Sequence, residues 1–261
     1  MQTPFTFPFG ERVKPVIQQD RTPKRVFVLG VYASAVHARW IDAQGRTRVS
    51  ALAVASEPYI FWRGDGVREI LERVSIPPEL GKLLPAASNL NGPSGIALDE
   101  LFLHPIGLGR DDAWLCDLVP HSCLNPSQKA AIEREYQPLA EQYALPPVTL
   151  PPVPRQLADD PRRREIVEEL EASGASTLML LGDEPVRWFL KAFDSRWSVL
   201  SDFGQDNPSY GQLWDTEING RTYRVLPLVH PRQAAKLGTH SARWHALHQH
   251  WMANTAHTLT V

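Results

Sequence analysis

The chain has 261 residues, 43% of them hydrophobic, and a formal net charge of −2. Its length and apolar content suffice for one large hydrophobic core, while the near-neutral charge means that any binding to nucleic acid must use a local basic patch. Two cysteines, Cys116 and Cys123, exclude a four-cysteine zinc or iron–sulfur site supplied by this chain alone and are typical of a reducing compartment.

The N-terminal segment up to Pro15 has no basic region followed by an apolar stretch, and we therefore expect no signal peptide. No apolar run in the sequence approaches the roughly 20 residues that a membrane-spanning helix requires. From these features we expect a cytoplasmic protein that has no membrane partner. A monomer is expected as well, although no feature of the sequence indicates the oligomeric state.

Several segments have the apolar, β-branched composition of strands. They lie at residues 25–29, 37–41, 48–55, 114–119, 177–181 and 217–229. The second and third segments flank the turn sequence Asp42–Gly45 and predict a β-hairpin insertion, near residues 37–62, after the first strand. The last segment contains Asn219–Gly220, a strong turn signal, and therefore predicts a second hairpin.

Capping residues and apolar spacing predict helices between these strands. They lie at residues 66–74, 95–103, 125–143, 160–173, 186–193 and 239–251. Ser94 and Asp183 are expected to cap two of them, and residues 75–93 are expected to be irregular. Strands that alternate with helices predict an α/β fold: one domain over residues 1–261, built as a three-layer α/β/α sandwich around a mainly parallel sheet.

The apolar strands stop abruptly at polar residues or glycine. These positions are Gly30, Asp117, Gly182 and His230. Right-handed crossovers bring the carboxyl ends of parallel strands to one edge of a sheet, and ligand sites of α/β proteins lie outside that edge. We therefore expect the loops that follow these four residues to form one site.

The four stretches resemble, in sequence and in order, the motifs of the uracil-DNA glycosylase superfamily. They are Val28–Ala33, Trp114–Asp117, Leu180–Asp183 and Val229–Arg232, and residues 91–95 fall where that family places its base-stacking segment. The resemblance covers residues from about 25 to about 251. It implies a uracil-DNA glycosylase-like fold and a base-excision enzyme that flips a damaged base from DNA and hydrolyses its N-glycosidic bond without a metal or cofactor.

The resemblance also implies roles for single residues. Of the expected catalytic residues, Tyr32 lines the water site, Asp117 holds the base and His230 stabilises the leaving group. Further substrate contacts are expected from Gly30, Val31, Ala33, Asn91, Ser94, Gly95, His121 and Arg232. The implied partner is double- or single-stranded DNA, with contacts from Gln233, Lys236, Leu237, His240 and Arg243.

Three residues depart from the family pattern, and one of them, Arg232, replaces a phosphate-binding Ser by a stronger phosphate ligand. Tyr32 stands where the family has a water-activating Asp or Asn, and tyrosine is a poor base at neutral pH. Asp117 replaces the base-reading Asn, and an ionised carboxylate only accepts hydrogen bonds, so it favours a base with an exocyclic amino group unless it is protonated. Two alternatives stay open: a nucleic-acid-binding protein of this fold without glycosylase activity, and an α/β enzyme that acts on a free nucleoside or nucleotide.

Other polar clusters are expected to be structural. The run Arg162–Arg164 and the glutamates after it predict a solvated helix face with ion pairs four residues apart. His245 and His248 share a helix face, but no carboxylate or cysteine accompanies them, so no metal site is predicted.

Overall fold

A computed structural model describes residues 5–261 of the chain. The backbone contacts group the chain into two compact units. The hairpin unit contains the residues up to Val16, 32–93 and 120–154, and the parallel-sheet unit contains 17–31, 94–119 and 155–261. The expected single domain stays a prediction. The N-terminal segment in which we expect no signal peptide begins with four residues that lie outside the described residues.

The strands and helices are numbered in chain order. The strands are β1 (Val26–Tyr32), β2 (Ala35–Ile41), β3 (Thr47–Ser56), β4 (Lys82–Pro85), β5 (Ala113–Val119), β6 (Thr177–Leu181), β7 (Trp214–Ile218) and β8 (Arg221–Leu228). The helices are α1 (Val67–Glu72), α2 (Pro93–Leu98), α3 (Pro126–Ala131), α4 (Gln137–Ala140), α5 (Asp160–Ser173), α6 (Asp183–Trp188), α7 (Pro231–Ala234) and α8 (Ala242–Asn254). Two π-helical turns, Asp99–Leu103 and Ile132–Tyr136, extend α2 and join α3 to α4.

The parallel-sheet unit is built on five strands in the order β5-β1-β6-β8-β7. β6 pairs in parallel with β1 and with β8, and β7 pairs antiparallel with β8. Every residue of β5 and β6 is buried, which is typical of strands covered on both faces. The structure therefore confirms an α/β fold with a mostly parallel sheet.

The start of the sheet is aligned by hydrogen bonds just before the strands. Arg25 N–H donates to the carbonyl of Asp112 (2.8 Å), which places the first residues of β1 and β5 side by side. In β6 and β8, Leu180 lies opposite Pro227 and Leu181 lies opposite Leu228. β5, β1, β6 and β8 therefore start at one edge of the sheet and end at the other.

The hairpin unit contains a three-stranded antiparallel sheet in the order β3-β2-β4. Its core includes Phe9, which packs edge-on against Trp40 and Tyr136 with ring centroids 5.3 and 5.2 Å away. β2 and β3 are the predicted hairpin, and Asp42 closes its turn by accepting N–H groups from the turn backbone. No helix among residues 5–261 has both the length and the apolar character needed to cross a bilayer.

Several predicted element boundaries are wrong. Gly30 does not end β1, because the strand continues to Tyr32 between β5 and β6. Residues 75–93 are not irregular throughout, since β4 pairs with β2. Ser94 lies inside α2, which begins at Pro93, so it does not cap that helix. Asp183 starts α6 but makes no cap, because its carboxylate accepts the N–H of Leu200 (2.8 Å) instead.

Candidate functional site

Asp117 is a buried carboxyl in the interior of β5. The strand runs two residues beyond it, to Val119, so Asp117 does not end the strand as the sequence predicted. The residue is 4% exposed, and no hydrogen bond to its carboxyl group occurs among residues 5–261. Burial raises its pKa to about 7, although the nearby guanidinium of Arg162 acts in the opposite direction. Asp117 is therefore present in both the charged and the neutral form near pH 7.

His230 follows β8 after one intervening residue, Val229, and caps α7, which takes the place of the expected loop. Its Nδ1 accepts the backbone N–H of Arg232 (3.2 Å). Burial lowers the pKa of the imidazole to about 4, and the charge of Arg232 lowers it further. At neutral pH the ring is therefore uncharged and carries its proton on Nε2, which makes Nε2–H a hydrogen-bond donor.

Gly182 holds the ends of β6 and β8 together. Its N–H donates to the carbonyl of Leu228 (2.8 Å), and its φ of +94° lies in the region that favours glycine. A Cβ at this position would lie 3.1 Å from the Cβ of His230. Glycine is therefore the residue that lets the backbone after β6 approach His230 this closely.

A buried hydrogen-bonded relay fixes the residue before His230. Val229 N–H donates to the hydroxyl of Tyr210 (3.1 Å), which lies 2.8 Å from Nδ1 of His248. Nε2 of His248 lies 2.9 Å from the carbonyl of Leu101, which can only accept, so Nε2 carries the proton and Nδ1 accepts from Tyr210. Burial lowers the pKa of His248 to about 4, so this neutral arrangement persists at pH 7.

Replacing Tyr210 with phenylalanine is expected to lower the free energy of unfolding by about 2 kcal/mol, because Val229 N–H and His248 Nδ1 lose their partner while buried. Urea unfolding at pH 7 measures the change. Tyr223→Phe is the control, since Tyr223 is also a buried residue but its hydroxyl makes no hydrogen bond among the described residues. Equal effects of the two substitutions would show that the relay adds nothing to stability.

The sequence did not reveal Tyr210, His248 or Arg162 as part of this region. Arg162 was expected on a solvated helix face, but its side chain is 13% exposed and bonds to β5. A signal existed for His248, because it shares a helix face with Leu247 and Trp251, both buried. No sequence pattern marks Tyr210.

The other residues predicted for the site, catalytic or substrate-binding, divide between the two units. Gly30, Val31, Ser94 and Gly95 belong to the parallel-sheet unit, and Tyr32, Ala33, Asn91 and His121 belong to the hairpin unit. The carbonyl of Gly95 accepts Nη2 of Arg110 (3.1 Å). In the hairpin unit, Tyr32 is 52% exposed, Ala33 is buried, and Nδ1 of His121 lies 3.3 Å from the carbonyl of Ser122.

Asn91 has a structural role that the sequence did not predict. Its Oδ1 accepts the N–H of His37 (2.8 Å) and its Nδ2 donates to the His37 carbonyl (2.9 Å). Because both ends of the buried amide bond to β2, the structure does not support the predicted role of Asn91 as a base contact.

The segment after His230 presents basic side chains to solvent. They are Arg232, Lys236, His240 and Arg243, all exposed. Two predicted DNA contacts differ from this group. Gln233 uses its Oε1 to accept the N–H of Ser241 (2.6 Å), and Leu237 is half-buried, with its carbonyl 3.4 Å from Nε of Arg232. Gln233 therefore supports the segment, and Leu237 is only partly exposed.

Within residues 5–261, no three His, Cys, Asp or Glu side chains are grouped as metal ligands. His245 uses Nδ1 to bond the carbonyl of Ala234 (2.8 Å). Comparisons of the sequence with models of protein families and with curated proteins find no match.

Proposed function

We propose that this chain is a DNA glycosylase-like protein of the uracil-DNA glycosylase superfamily that hydrolyses the N-glycosidic bond of a flipped, damaged base. One observation supports this most directly: a buried carboxyl without a hydrogen bond, Asp117, and a neutral imidazole donor, His230, lie toward the same edge of one sheet. The four strands that carry the motifs are neighbours in that sheet, in the order β5-β1-β6-β8.

The proposed reaction needs a hydrogen-bond donor at the leaving base. The bond between C1′ and the base nitrogen breaks with both electrons going to the base, and water adds to C1′ and loses its proton to the departing base or to solvent. His230 Nε2–H donates to the acceptor atom of the leaving base on which the electron pair collects, which is a carbonyl oxygen in uracil. Two strands separate β5 from β8, so Asp117 and His230 lie about 14 Å apart across the sheet. We infer that their side chains approach the flipped nucleotide from opposite sides.

Asp117 would select the base through its charge. The charged carboxylate accepts a hydrogen bond from an exocyclic amino group, whereas the neutral carboxyl both donates and accepts, as an Asn amide does. With a pKa of about 7, the carboxyl favours carbonyl-bearing bases such as uracil below pH 7 and amino-bearing bases above it.

The remaining features complete the proposal. Exposed Arg232, Lys236, His240 and Arg243 would bind the flanking phosphates of DNA. We propose a three-layer arrangement of the α/β fold, no cofactor, a monomer and a cytoplasmic location. A second candidate, DNA binding without catalysis, is favoured by Tyr32 at the position where the superfamily has its water-activating Asp or Asn.

The test is an assay on duplex and single-stranded oligonucleotides that carry uracil, hypoxanthine, xanthine or an alkylated base. We expect release of at least one base and a preference that changes between pH 6 and pH 8. Salt-dependent DNA binding without release of any base would favour the second candidate. Absence of DNA binding at low salt would overturn both and favour an enzyme of free nucleosides or nucleotides.

Removing two of the exposed cations is expected to weaken DNA binding equally for all sequences. For Arg232→Gln combined with Lys236→Gln, the slope of log affinity against log salt should fall in magnitude by about 2. Fluorescence anisotropy with labelled DNA at several salt concentrations measures this slope. A charge-matched control combines Lys191→Gln with Arg221→Gln, two exposed residues outside the segment, and an equal change there would contradict the proposed phosphate contacts.

A further inference from the structure

Arg162 of α5 bonds to three consecutive residues of β5. Its Nε donates to the carbonyl of Leu118 (3.1 Å), and its Nη2 donates to the carbonyl of Asp117 (2.8 Å) and lies 3.4 Å from Sγ of Cys116. β5 is an outer strand of the sheet, so carbonyls on its free side lack a partner strand. Arg162 bonds to the backbone of this outer strand at the residue whose side chain is the unbonded carboxyl.

The guanidinium does not form an ion pair with that carboxyl. Its Nη1 lies 2.8 Å from Glu165 and 3.6 Å from Glu169, and Glu169 also accepts Nε1–H of Trp114 (3.1 Å). The hydrogen bond of Arg162 to Asp117 goes to the backbone carbonyl instead. The carboxyl therefore has no hydrogen bond or ion pair among the described residues, while a cation whose side chain is 13% exposed lies close to it.

Few other charged groups surround Asp117 in the parallel-sheet unit. Cys116 precedes it on β5, and α5 contributes Arg162, Glu165 and Glu169. The neighbouring strand β1 contributes apolar residues and Gly30 from Val26 to Val31. Arg162 is the cation that favours the charged form of the Asp117 carboxyl.

We propose that Arg162 is a positioning residue that sets base preference: it fixes the backbone that aims Asp117 and favours the charged form of the carboxyl, which accepts a hydrogen bond from an exocyclic amino group. The base-preference part of this inference rests on the proposed function. Loss of Arg162 would shift Asp117 toward the neutral form, and the preference would move toward bases that present a carbonyl, such as uracil.

The test compares Arg162→Gln with Arg164→Gln, which removes the same charge from an exposed position of α5. Carboxyl ¹³C NMR follows the titration of Asp117, assigned by its loss in Asp117→Asn. We expect Arg162→Gln to move the titration midpoint to higher pH, while Arg164→Gln leaves it in place. At pH 7.5 the ratio of uracil release to 3-methyladenine release should rise about tenfold in Arg162→Gln.

Arg162→Lys separates charge from position and covers the case in which Arg162→Gln fails to fold. Lysine keeps the positive charge but has no fork that reaches two carbonyls. We expect its Asp117 titration to stay near that of the wild type while release of both bases falls. An unchanged titration in folded Arg162→Gln, or unchanged base release in Arg162→Lys, would overturn the proposal. If the wild type releases no base, the proposed function fails, and the Asp117 titration alone decides whether Arg162 controls this carboxyl.

Discussion

Replacing His230 with alanine is expected to slow base release by about 10²- to 10³-fold, with a much smaller effect on DNA affinity. The loss falls on the chemical step because Nε2–H donates to charge that develops only as the base departs. Single-turnover release from a labelled oligonucleotide measures this step directly. The predicted effect is large because the imidazole is the donor that the described geometry offers at the end of β8.

The pH dependence of the same reaction tests the protonation state of His230. With a pKa of about 4, the ring stays neutral between pH 6 and pH 8, and its titration should not appear in the rate over that range. An imidazolium acting as general acid with an ordinary pKa would instead make the rate fall as pH rises from 6 to 8. Measuring the pH profile in Asp117→Asn removes the carboxyl that titrates in the same range.

Two further substitutions serve as the control and as the partial rescue for His230→Ala. His250→Ala removes an exposed histidine of α8 and should leave base release unchanged. His230→Gln keeps an N–H donor and should recover part of the lost rate. If His230→Ala released bases as fast as the wild type, the leaving-group role would be wrong even if the protein proved to be a glycosylase.

Local sequence patterns were sufficient to predict β5, β6 and both hairpins, because short apolar runs and the turns at Asp42–Gly45 and Asn219–Gly220 act over short distances. They failed for β4, which has four residues and contains Pro85. Its pairing with β2 arises from residues more than forty positions away, which no local pattern records. Gly30 was misread for a related reason: glycine weakens an isolated strand, but neighbours on both sides keep β1 extended.

The candidate site was only partly predictable for the same physical reason. Sequence order placed Asp117 and His230 near strand ends, but their protonation depends on burial by distant segments. Arg162 lies 45 positions from Asp117, Tyr210 lies 19 positions from Val229, and His248 lies 147 positions from Leu101. The expected solvated face at Arg162 was wrong because its stem and guanidinium lie against β5. Desolvation therefore raises the pKa of Asp117 to about 7, so that its carboxyl is partly neutral at pH 7. It lowers the pKa of His230 to about 4, so that the imidazole is a neutral hydrogen-bond donor.

Replacing Asp117 with asparagine is expected to change stability in a pH-dependent way. The folded-state pKa of about 7 lies above the unfolded value, so folding favours the protonated carboxyl, and stability is lost as pH rises from about 4 through 7. The charged carboxyl costs on the order of 4 kcal/mol at pH 8 and about 1.5 kcal/mol at pH 5. Asparagine removes this cost but buries an unbonded amide, which adds a penalty that does not depend on pH.

The quantity to compare is therefore the change in the free energy of unfolding at pH 8 and the same change at pH 5. Relative to the wild type, Asp117→Asn should gain about 2.5 kcal/mol more at pH 8 than at pH 5 in urea unfolding. The exposed Asp111→Asn is the matched control and should show no such difference. The same variant should release uracil equally well at pH 6 and pH 8, because an amide donates and accepts at both. A stability gain that does not vary with pH would show that Asp117 is charged without penalty, and the carboxyl would then lack the neutral form that base selection by pH requires.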